Sequence, residues 1–450
     1  MSFPRYPTYK DSGVEWLGVV PGHWAPTPIK HLGRLKGGAG FPHEKQGVEG
    51  EALSFHKVNA LAQADSEGFL SPSDNTISLD TAKELGAFIF PPSTVVFAKV
   101  GAALLLGRIR LLNHDACLDN NMMGLVVRKD QFHVKFVRYA MNLVRFDLIA
   151  NPGAVPSLNE GQIGDFQLVM PPLTEQVQIA TFLDRETAKI DGLVAEQRRL
   201  MELLKEKRQA VISHAVTQGL NPHAPMKPSG VEWLGDVPEH WTVIALKRIA
   251  DVQTGVAKGK NHGSRNTISV PYLRVANVQD GYLNLETIAT MDIPKEDLQR
   301  YALQPGDVLM NEGGDFDKLG RGHVWDGQIE PCITQNHVFA VRPRKVTSAW
   351  LNAITSSDFA QFYFMTRSKQ STNLASISST NLMELPVILP PKNEQIEILA
   401  FIADQTVRFD TLTAEAQRAI DLLQERRTAL VSAAVTGQID VRGLAAVATH

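Results

Sequence analysis

The chain has 450 residues, and because one hydrophobic core usually stops growing at about 250–300 residues, this length predicts at least two domains. Hydrophobic residues make up 44% and charged residues 21% of the chain, which excludes extensive disorder. Two cysteines are too few for a disulfide framework or a four-cysteine zinc site. Without a long apolar run or a signal-peptide pattern, we expect a cytoplasmic protein with no membrane span.

The chain contains an internal duplication. Residues 12–24 read SGVEWLGVVPGHW, and residues 229–241 read SGVEWLGDVPEHW; we call these two copies the tryptophan motif. Further matches lie near the end of each half: 171–176 with 390–395, and 206–213 with 425–432. Between these matching ends the halves diverge. Similar frames around dissimilar inserts favour recognition of two different targets, and a duplication that only enlarges a scaffold is the alternative.

In chain order, the composition alternates between two kinds of segment. Residues 25–170 and 242–389 are rich in Gly, Pro and short β-branched or aromatic runs, which predict mixed α/β or mostly β domains. Residues 174–218 and 393–436 contain no proline and almost no glycine, so each predicts one long helix. The predicted fold class is therefore α/β (α+β). We place the segments as follows: a first globular domain at 1–172, a spacer helix at 173–218, a second globular domain at 219–391, and a second helix with the C-terminal tail at 392–450.

Each predicted helix carries apolar positions at alternating steps of three and four. The predicted seams are Ile190, Leu193, Gln197, Leu200, Leu204, Lys207 and Val211 in the first helix, and Phe409, Leu412, Ala416, Ala419, Leu423, Arg426 and Leu430 in the second. Because a narrow apolar stripe needs a helical partner, we expect the two helices to pair as an antiparallel coiled coil, with a pseudo-two-fold axis relating the halves. The globular domains would then lie at opposite ends of a helical spacer of roughly 66 Å.

Motifs for catalysis are missing from the sequence. The closest approach to a phosphate loop, at 255–261, does not complete the pattern, and the tetrapeptide and Gly-rich loop of adenine methyltransferases are absent. The cluster Glu312, Asp315 and Asp317 could ligate Mg²⁺, but a polar turn between strands is the ordinary interpretation. We therefore expect a chain that is not an enzyme, with no catalytic residue, no metal site and no cofactor of its own.

Basic residues are concentrated inside both globular segments. Residues 95–145 contain eight basic and three acidic residues, and residues 318–370 contain seven basic and three acidic residues. A net charge of −3 for the whole chain can therefore hide two cationic regions. This distribution favours globular domains that bind phosphates, and a solvated surface of mixed charge is the alternative for either region alone.

The duplicated tryptophan motif, the P-P-x-x-E-Q-x-x-I helix start at Pro171 and Pro390, and the E-[KR]-R-x-A stretch near each helix end closely resemble the specificity subunit of type I restriction-modification systems. The resemblance spans the whole chain and includes Gly320-Arg321-Gly and Gln335-Asn336. It implies that each globular domain is a target-recognition domain that binds one half of a bipartite site in double-stranded DNA. It also implies that the helices set the spacing between the two halves.

The same resemblance implies the partners. Two modification (methyltransferase) subunits, which bind S-adenosylmethionine, would dock on the helices, and restriction subunits would add the chemistry that depends on ATP and Mg²⁺. For this docking we favour Glu175, Gln176, Glu394 and Gln395, although capping of the helix N-termini is an alternative role for them. The tryptophans at 16, 24, 233 and 241 are expected to be core anchors.

DNA contacts are predicted from Lys, Arg and Asn side chains near the basic regions, because these groups bind phosphates and base edges. The predicted residues are Lys57, Asn59, Lys99, Arg108, Asn120 and Asn121 in the first domain, and Arg274, Asn277, Asn311, Lys318, Arg321 and Asn336 in the second. The alternative for the whole chain is a non-catalytic coiled-coil scaffold that binds protein partners rather than DNA.

Overall fold

The computed structural model describes residues 3–65, 67–259, 263, 265–314, 316, 319–371 and 374–444. By their internal contacts these residues divide into two compact units. The first comprises Met1–Arg198 with Gln417–His450, and the second comprises Arg199–Ala416. Each unit therefore combines one globular segment with part of both long helices, a division that cuts across the four consecutive segments expected from the sequence.

The first globular segment is built from short strands and short helices. Its strands are β1 (Tyr9–Asp11), β2 (Val19–Pro21), β3 (Ala25–Pro28), β4 (Gly33–Gly37), β5 (Leu53–His56), β6 (Thr76–Ile77), β7 (Val95–Ala98), β8 (Arg110–Leu111), β9 (Ala116–Leu118), β10 (Met122–Val127) and β11 (Gln167–Met170). Its helices are α1 (Ile29–Leu32), α2 (Leu79–Glu84), α3 (Ala102–Leu105), α4 (Val134–Ala140), α5 (Phe146–Ile149) and α6 (Glu160–Asp165). The first long helix, α7 (Leu173–Gln218), follows.

The second globular segment has a similar element order. Its strands are β12 (Met226–Pro228), β13 (Asp236–Pro238), β14 (Thr242–Ala245), β15 (Ala250–Thr254), β16 (Thr267–Leu273), β17 (Ala289–Pro294), β18 (Val308–Asn311), β19 (Gly313–Gly314), β20 (Gly322–Val324), β21 (Ile333–Thr334), β22 (Val338–Pro343), β23 (Lys369–Ser371), β24 (Leu374–Ser376) and β25 (Pro386–Leu389). Its helices are α8 (Leu298–Tyr301), α9 (Ser348–Thr355), α10 (Asp358–Arg367) and α11 (Ser379–Met383), followed by the second long helix, α12 (Lys392–Val435).

The sheets confirm the internal repeat. A four-stranded sheet has the order β4-β10-β7-β8 in the first segment and β15-β22-β18-β20 in the second. A three-stranded sheet has the order β6-β5-β9 in the first and β17-β16-β21 in the second, and in both the last pair is parallel. The second segment also contains the sheet β19-β24-β23. The two domains therefore share a framework of strands although their inserts diverge in sequence.

One tryptophan of each motif anchors a core. Trp24 and Trp241 are fully buried, whereas Trp16 and Trp233 are 43% and 38% exposed. The expectation of a core anchor is therefore confirmed for the second tryptophan of each motif only. The first tryptophan of the motif lies at the surface instead. The Trp16 ring, for example, stacks on the half-buried ring of Phe166, with 5.0 Å between the ring centroids.

The two long helices pair antiparallel. In the first unit Asp191 of α7 forms an ion pair with Arg427 of α12 at 2.9 Å. In the second unit Arg208 of α7 pairs with Asp410 of α12, also at 2.9 Å. The residue number on α12 thus falls as the number on α7 rises, as the sequence predicted. Among the described residues, no helix is long and apolar enough to cross a bilayer.

The seam of this pair differs from the predicted one at every second position. The positions shared by prediction and structure include Ile190, Leu204 and Phe409, which are buried. Leu193 is 46% exposed, however, and its neighbour Val194 is 8% exposed and lies on the seam. At the other corrected positions the observed seam residue replaces its predicted neighbour: Met201 instead of Leu200, Arg208 instead of Lys207, Thr413 instead of Leu412, Ile420 instead of Ala419 and Arg427 instead of Arg426. At pairs such as Leu193/Val194 and Ala419/Ile420 both neighbours are apolar, so the periodicity alone does not show which of the two lies on the seam.

Adjacent leucines test this corrected seam. Leu204 is 9% exposed and Leu203 is 44% exposed. Leu204→Ala should lower the free energy of unfolding by about 2 kcal/mol or more, because it leaves a cavity between the helices. Leu203→Ala should change it by less than about 0.5 kcal/mol. Denaturant unfolding of the purified chain measures both, and equal losses would contradict the assignment.

Candidate nucleic-acid interface

Three chain segments meet at one edge of the first domain. Strands β5 and β9 are parallel, so the residues that follow them lie at the same end, and the Asp119 N–H donates to the His56 carbonyl at 2.9 Å. Lys57 follows β5 and precedes a 3₁₀ turn at 58–62, on which Asn59 is exposed. The Lys57 ammonium donates to the Gln46 side chain at 2.8 Å.

The third segment follows β7. The Lys99 N–H donates to the Asn121 carbonyl at 2.8 Å, and Asn120 beside it is exposed. Arg108 is exposed two residues before β8, and β8 pairs antiparallel with β7, so Arg108 lies at the end of the sheet where β7 stops. The structure thus brings all six predicted residues of the first domain to one edge, which we call the first recognition edge: Lys57, Asn59, Lys99, Arg108, Asn120 and Asn121.

Asp119 lies beneath these cations. Its side chain is 7% exposed and accepts the Asn121 N–H at 2.8 Å, which fixes the turn that carries the two asparagines. Burial raises the pKa of Asp119, while the backbone hydrogen bonds and the charges of Lys57 and Lys99 act in the opposite direction. The buried Asp119 side chain therefore orders the turn at this edge.

The second domain forms an equivalent edge from β16, β18 and β21. The Gln335 N–H donates to the Leu273 carbonyl at 2.9 Å, and the Glu312 N–H donates to the His337 carbonyl at 2.9 Å. We call this the second recognition edge. Matching backbone bonds and strand registers pair its residues with those of the first edge: Arg274 with Lys57, Ala276 with Asn59, Glu312 with Lys99, Arg321 with Arg108, Asn336 with Asn120, and His337 with Asn121.

A glycine allows close backbone packing at each of the two edges. A Cβ atom on Gly38 would lie 2.1 Å from the Asp119 carbonyl oxygen, and one on Gly255 would lie 2.3 Å from the Gln335 carbonyl oxygen. These distances are shorter than any non-bonded contact, so only glycine lets the neighbouring strand approach the turn. The two edges thus share their backbone while the side chains differ.

Two predicted residues of the second domain are structural. Asn277 is 3% exposed and its amide donates to the carbonyls of Asn284 and Thr287, at 2.9 and 3.0 Å. Asn311 is 5% exposed and donates to the Val278 carbonyl at 2.8 Å. Neither side chain is accessible to DNA, which corrects the prediction. Both were predicted from their residue type and their place near the basic regions, neither of which reports burial.

The other predicted residues of that domain have different outcomes. Arg274 is half-buried at the start of a short 3₁₀ turn, and Asn336 is half-buried at the edge. Arg321 lies beside β20, and its carbonyl accepts the Asn311 N–H at 2.9 Å. Lys318 lies outside the described residues, as do Asp315 and Asp317. Among the residues described, no group of three or more His, Cys, Asp or Glu side chains could hold a metal ion.

Glu312 and His337 were not predicted as interface residues. In the sequence Glu312 stood out only as a member of an acidic cluster, and His337 stood out only as the neighbour of the predicted Asn336. For Glu312 the usable signal was spacing, because Glu312 lies nine residues before Arg321 as Lys99 lies nine residues before Arg108.

Several cations in the basic regions are neutralised internally. Lys135 pairs with Asp184 at 2.9 Å, and Arg342 pairs with the buried Asp307 at 2.7 Å. Arg145 pairs with a neighbouring aspartate at 2.6 Å. Counting charges along the sequence therefore overstated the cationic surface, and the recognition edges are a smaller basic feature than the sequence suggested.

The carboxylates at the helix starts have an internal role; Glu175 is buried and Glu394 is half-buried. Glu175 is 3% exposed and accepts from Trp24 Nε1 at 3.1 Å and from the Tyr6 hydroxyl. Glu394 accepts from Trp241 Nε1 at 3.0 Å. Each long helix thus begins with a carboxylate that holds the tryptophan motif of its own half.

The glutamines beside them are also engaged. Gln176 and Gln395 are 1% and 8% exposed, and their amides donate to the carbonyls of Pro171 and Pro390, both at 2.8 Å. With Glu175, three of the four residues predicted to dock a partner offer no exposed side chain. This burial speaks against direct partner contact by those side chains, and docking on the neighbouring helical turns stays a prediction.

Comparison with known proteins supports the family resemblance. A family model described as "Type I restriction modification DNA specificity domain" matches residues 23–199 and residues 238–421. The chain belongs to this family. The two matched stretches correspond to the two halves of the internal repeat, so each half is one copy of the family's domain.

Individual relatives are distant. The chain is 24% identical over 305 residues to the type I restriction enzyme EcoKI specificity subunit of Escherichia coli, a match that covers 65% of this chain and 62% of that protein. It is 24% identical over 297 residues to the MjaVIII specificity subunit of Methanocaldococcus jannaschii, covering 64% and 66%. The match therefore spans less than two thirds of either relative's length.

A solved structure shares the fold. It is described as "Structural basis underlying complex assembly and conformational transition of the type I R-M system". It superposes with a TM-score of 0.60 at 17% identity, covering 92% of this chain and 98% of that one. At this identity the likeness concerns the fold alone.

His56, which immediately precedes Lys57, should make the first domain sensitive to acid. It is fully buried and neither ring nitrogen has a hydrogen-bond partner; burial, with His114 nearby, lowers the pKa of His56 from 6.5 to about 4. Below pH 6.5 the unfolded chain binds a proton that the folded chain excludes, so stability falls between pH 6.5 and about 4. The loss should total about 3 kcal/mol.

The His56→Met variant should lack this part of the pH dependence, because methionine fills the site without titrating. His31→Met, at an exposed position of the same domain, serves as the matched control. Thermal unfolding midpoints measured from pH 7 to pH 4 show whether His56 causes this pH dependence. Parallel curves for the wild type and His56→Met would show that His56 is not the titrating group.

Proposed function

We propose that this chain is the DNA sequence-specificity subunit of a type I restriction-modification complex, in which each target-recognition domain binds one half of a bipartite DNA target. The observation that carries the proposal is the pair of recognition edges, which have the same backbone and different side chains. A repeated frame with different side chains is what two unlike half-sites require. Membership of the specificity-domain family supports the same conclusion.

The long helices would serve two purposes in this complex. As a continuous antiparallel pair they would set the spacing between the two half-sites. They would also dock two modification subunits, and apolar side chains outside the seam support this role. Leu193, Leu200 and Leu203 on α7, and Val407, Leu412 and Leu422 on α12, are all more than two fifths exposed, although a solvated helix face usually carries polar residues.

The chemistry would belong to the partners. The modification subunits would bind S-adenosylmethionine and methylate adenine, and restriction subunits would supply the reactions that use ATP and Mg²⁺. This chain would contribute the DNA sequence and the spacing, without a catalytic residue or cofactor of its own. Such a complex works on DNA in the cytoplasm.

A coiled-coil scaffold that binds protein partners rather than DNA has the same helical pair. It gives no reason for a cation to recur at the same position of both edges, as Lys57 and Arg274 do, with arginine at the paired positions 108 and 321. Cations and amides along an exposed edge are the groups that bind phosphates and base edges. These positions therefore favour DNA.

The salt dependence of binding separates these two functions. For the purified complex of this chain with its modification subunit, the affinity for duplex DNA should fall linearly with salt on logarithmic axes, by about 0.9 per phosphate neutralised. Lys57→Ala should reduce that slope by about 1. Lys10→Ala, which removes an exposed lysine from β1, should leave it unchanged. A complex that assembles but binds no DNA would support the scaffold.

A further inference from the structure

The first recognition edge holds Lys99 in a defined place. Its N–H donates to the Asn121 carbonyl at 2.8 Å, and its carbonyl accepts from the Leu158 N–H at 2.9 Å. Since both sides of the residue are bonded to neighbouring segments, the direction of its Cα–Cβ bond is set by the frame. Its side chain offers hydrogen-bond donors and no acceptor.

The second recognition edge places Glu312 at the same position. The Glu312 N–H donates to the His337 carbonyl at 2.9 Å, and its carbonyl accepts from the Ile377 N–H at 2.9 Å. The backbone bonds therefore repeat those of Lys99, but the side chain is an ionised carboxylate that only accepts hydrogen bonds. At this equivalent position the first edge thus offers only hydrogen-bond donors and the second edge only acceptors.

The Glu312 carboxylate is held by its neighbours. The Asn336 amide nitrogen lies 3.4 Å from His337 Nε2, and His337 Nδ1 lies 3.3 Å from Glu312 Oε2. In the tautomer that carries its proton on Nδ1, His337 donates to the carboxylate and Nε2 can accept from the Asn336 amide. The Glu312 side chain remains 27% exposed, so the carboxylate is both oriented and accessible.

Different base edges in the major groove suit these two side chains. Guanine presents the acceptors O6 and N7, which suit a lysine, whereas cytosine and adenine present an exocyclic amino group that a carboxylate can accept from. Guanine and thymine offer a carboxylate no donor in that groove. The phosphates repel a carboxylate near DNA, and a hydrogen bond from a facing amino group is needed to offset this repulsion.

We infer that Lys99 and Glu312 are paired specificity-determining residues. The first half of the target presents a guanine to Lys99, and the second half presents the amino group of a cytosine or adenine to Glu312. The inference rests on the proposed function and deepens it. The basic side chains common to both edges, Lys57 and Arg274 with Arg108 and Arg321, contact the backbone of either half-site.

The test selects bound sequences from a pool of random duplexes, using the complex of the full chain with its modification subunit. Glu312→Lys should replace the cytosine or adenine of the second half-site by guanine and leave the first half unaltered. Glu312→Gln should weaken discrimination at that one base about tenfold or more. Lys99→Gln should weaken discrimination only within the first half.

Two controls accompany these variants. Glu296→Gln removes an exposed carboxylate elsewhere in the second domain and should select the wild-type sequence. Arg274→Ala should reduce the amount of DNA bound without changing the selected sequence. The unfolding midpoint of each variant shows whether it folds.

The outcomes distinguish this inference from the proposed function. If the wild-type complex selects no bipartite sequence, the proposed function fails. If it selects one and Glu312→Lys and Glu312→Gln select the same one with equal discrimination, the assignment of Glu312 is overturned. If either folded variant changes the first half-site instead, the pairing of edges with half-sites is overturned. If either folded variant binds no DNA, the inference that Glu312 selects a single base is overturned.

Discussion

The architecture depends on one contact, made twice, between a carboxylate at the start of a long helix and the tryptophan motif. Glu175 accepts from Trp24 and lies 2.8 Å from His23 Nε2, and Glu394 has the same relation to Trp241 and His240. Removing a carboxylate from water is costly unless donors surround it. The donors therefore tie each globular domain to the first turn of its own helix.

The other end of each long helix packs into the core of the opposite half of the repeat. Ala215 and Val216, near the end of α7, belong to the core that contains Trp241. Ala434 and Val435, at the end of α12, belong to the core that contains Trp24. Each core thus combines residues from both copies of the repeat, so neither copy completes a core alone. In a chain built in this way the recognition edges lie outside the contacts that hold the helical pair.

Much of this organisation follows from the sequence. The start of α7 and α12 follows from the proline pairs before them, and their pairing follows from the apolar repeat. What failed were choices that depend on local burial. Leu193 and Val194 are both apolar, and only the partner helix decides which faces inward. Asn277 and Asn311 carry the right chemistry for DNA, but their amides are used to satisfy backbone carbonyls inside the domain.

The sequence predicted only part of the two recognition edges, and the reason is physical. Lys57, Lys99 and Asn121 lie far apart in sequence and meet only because β5 pairs in parallel with β9 and β7 pairs with β10. Residue type pointed to these side chains, whereas the strand register showed that they share an edge. The same register identified Glu312 and His337, whose chemistry differs so much from that of Lys99 and Asn121 that sequence similarity could not relate them.

The most direct measurement is a genome-wide map of methylated adenines in a host that carries this chain with its modification subunit, compared with a host that carries the modification subunit alone. Two domains on one helical frame predict a bipartite motif, with two defined halves and a fixed spacer, that appears only when this chain is present. No new motif, from a modification subunit that is active with another specificity chain, would contradict the account.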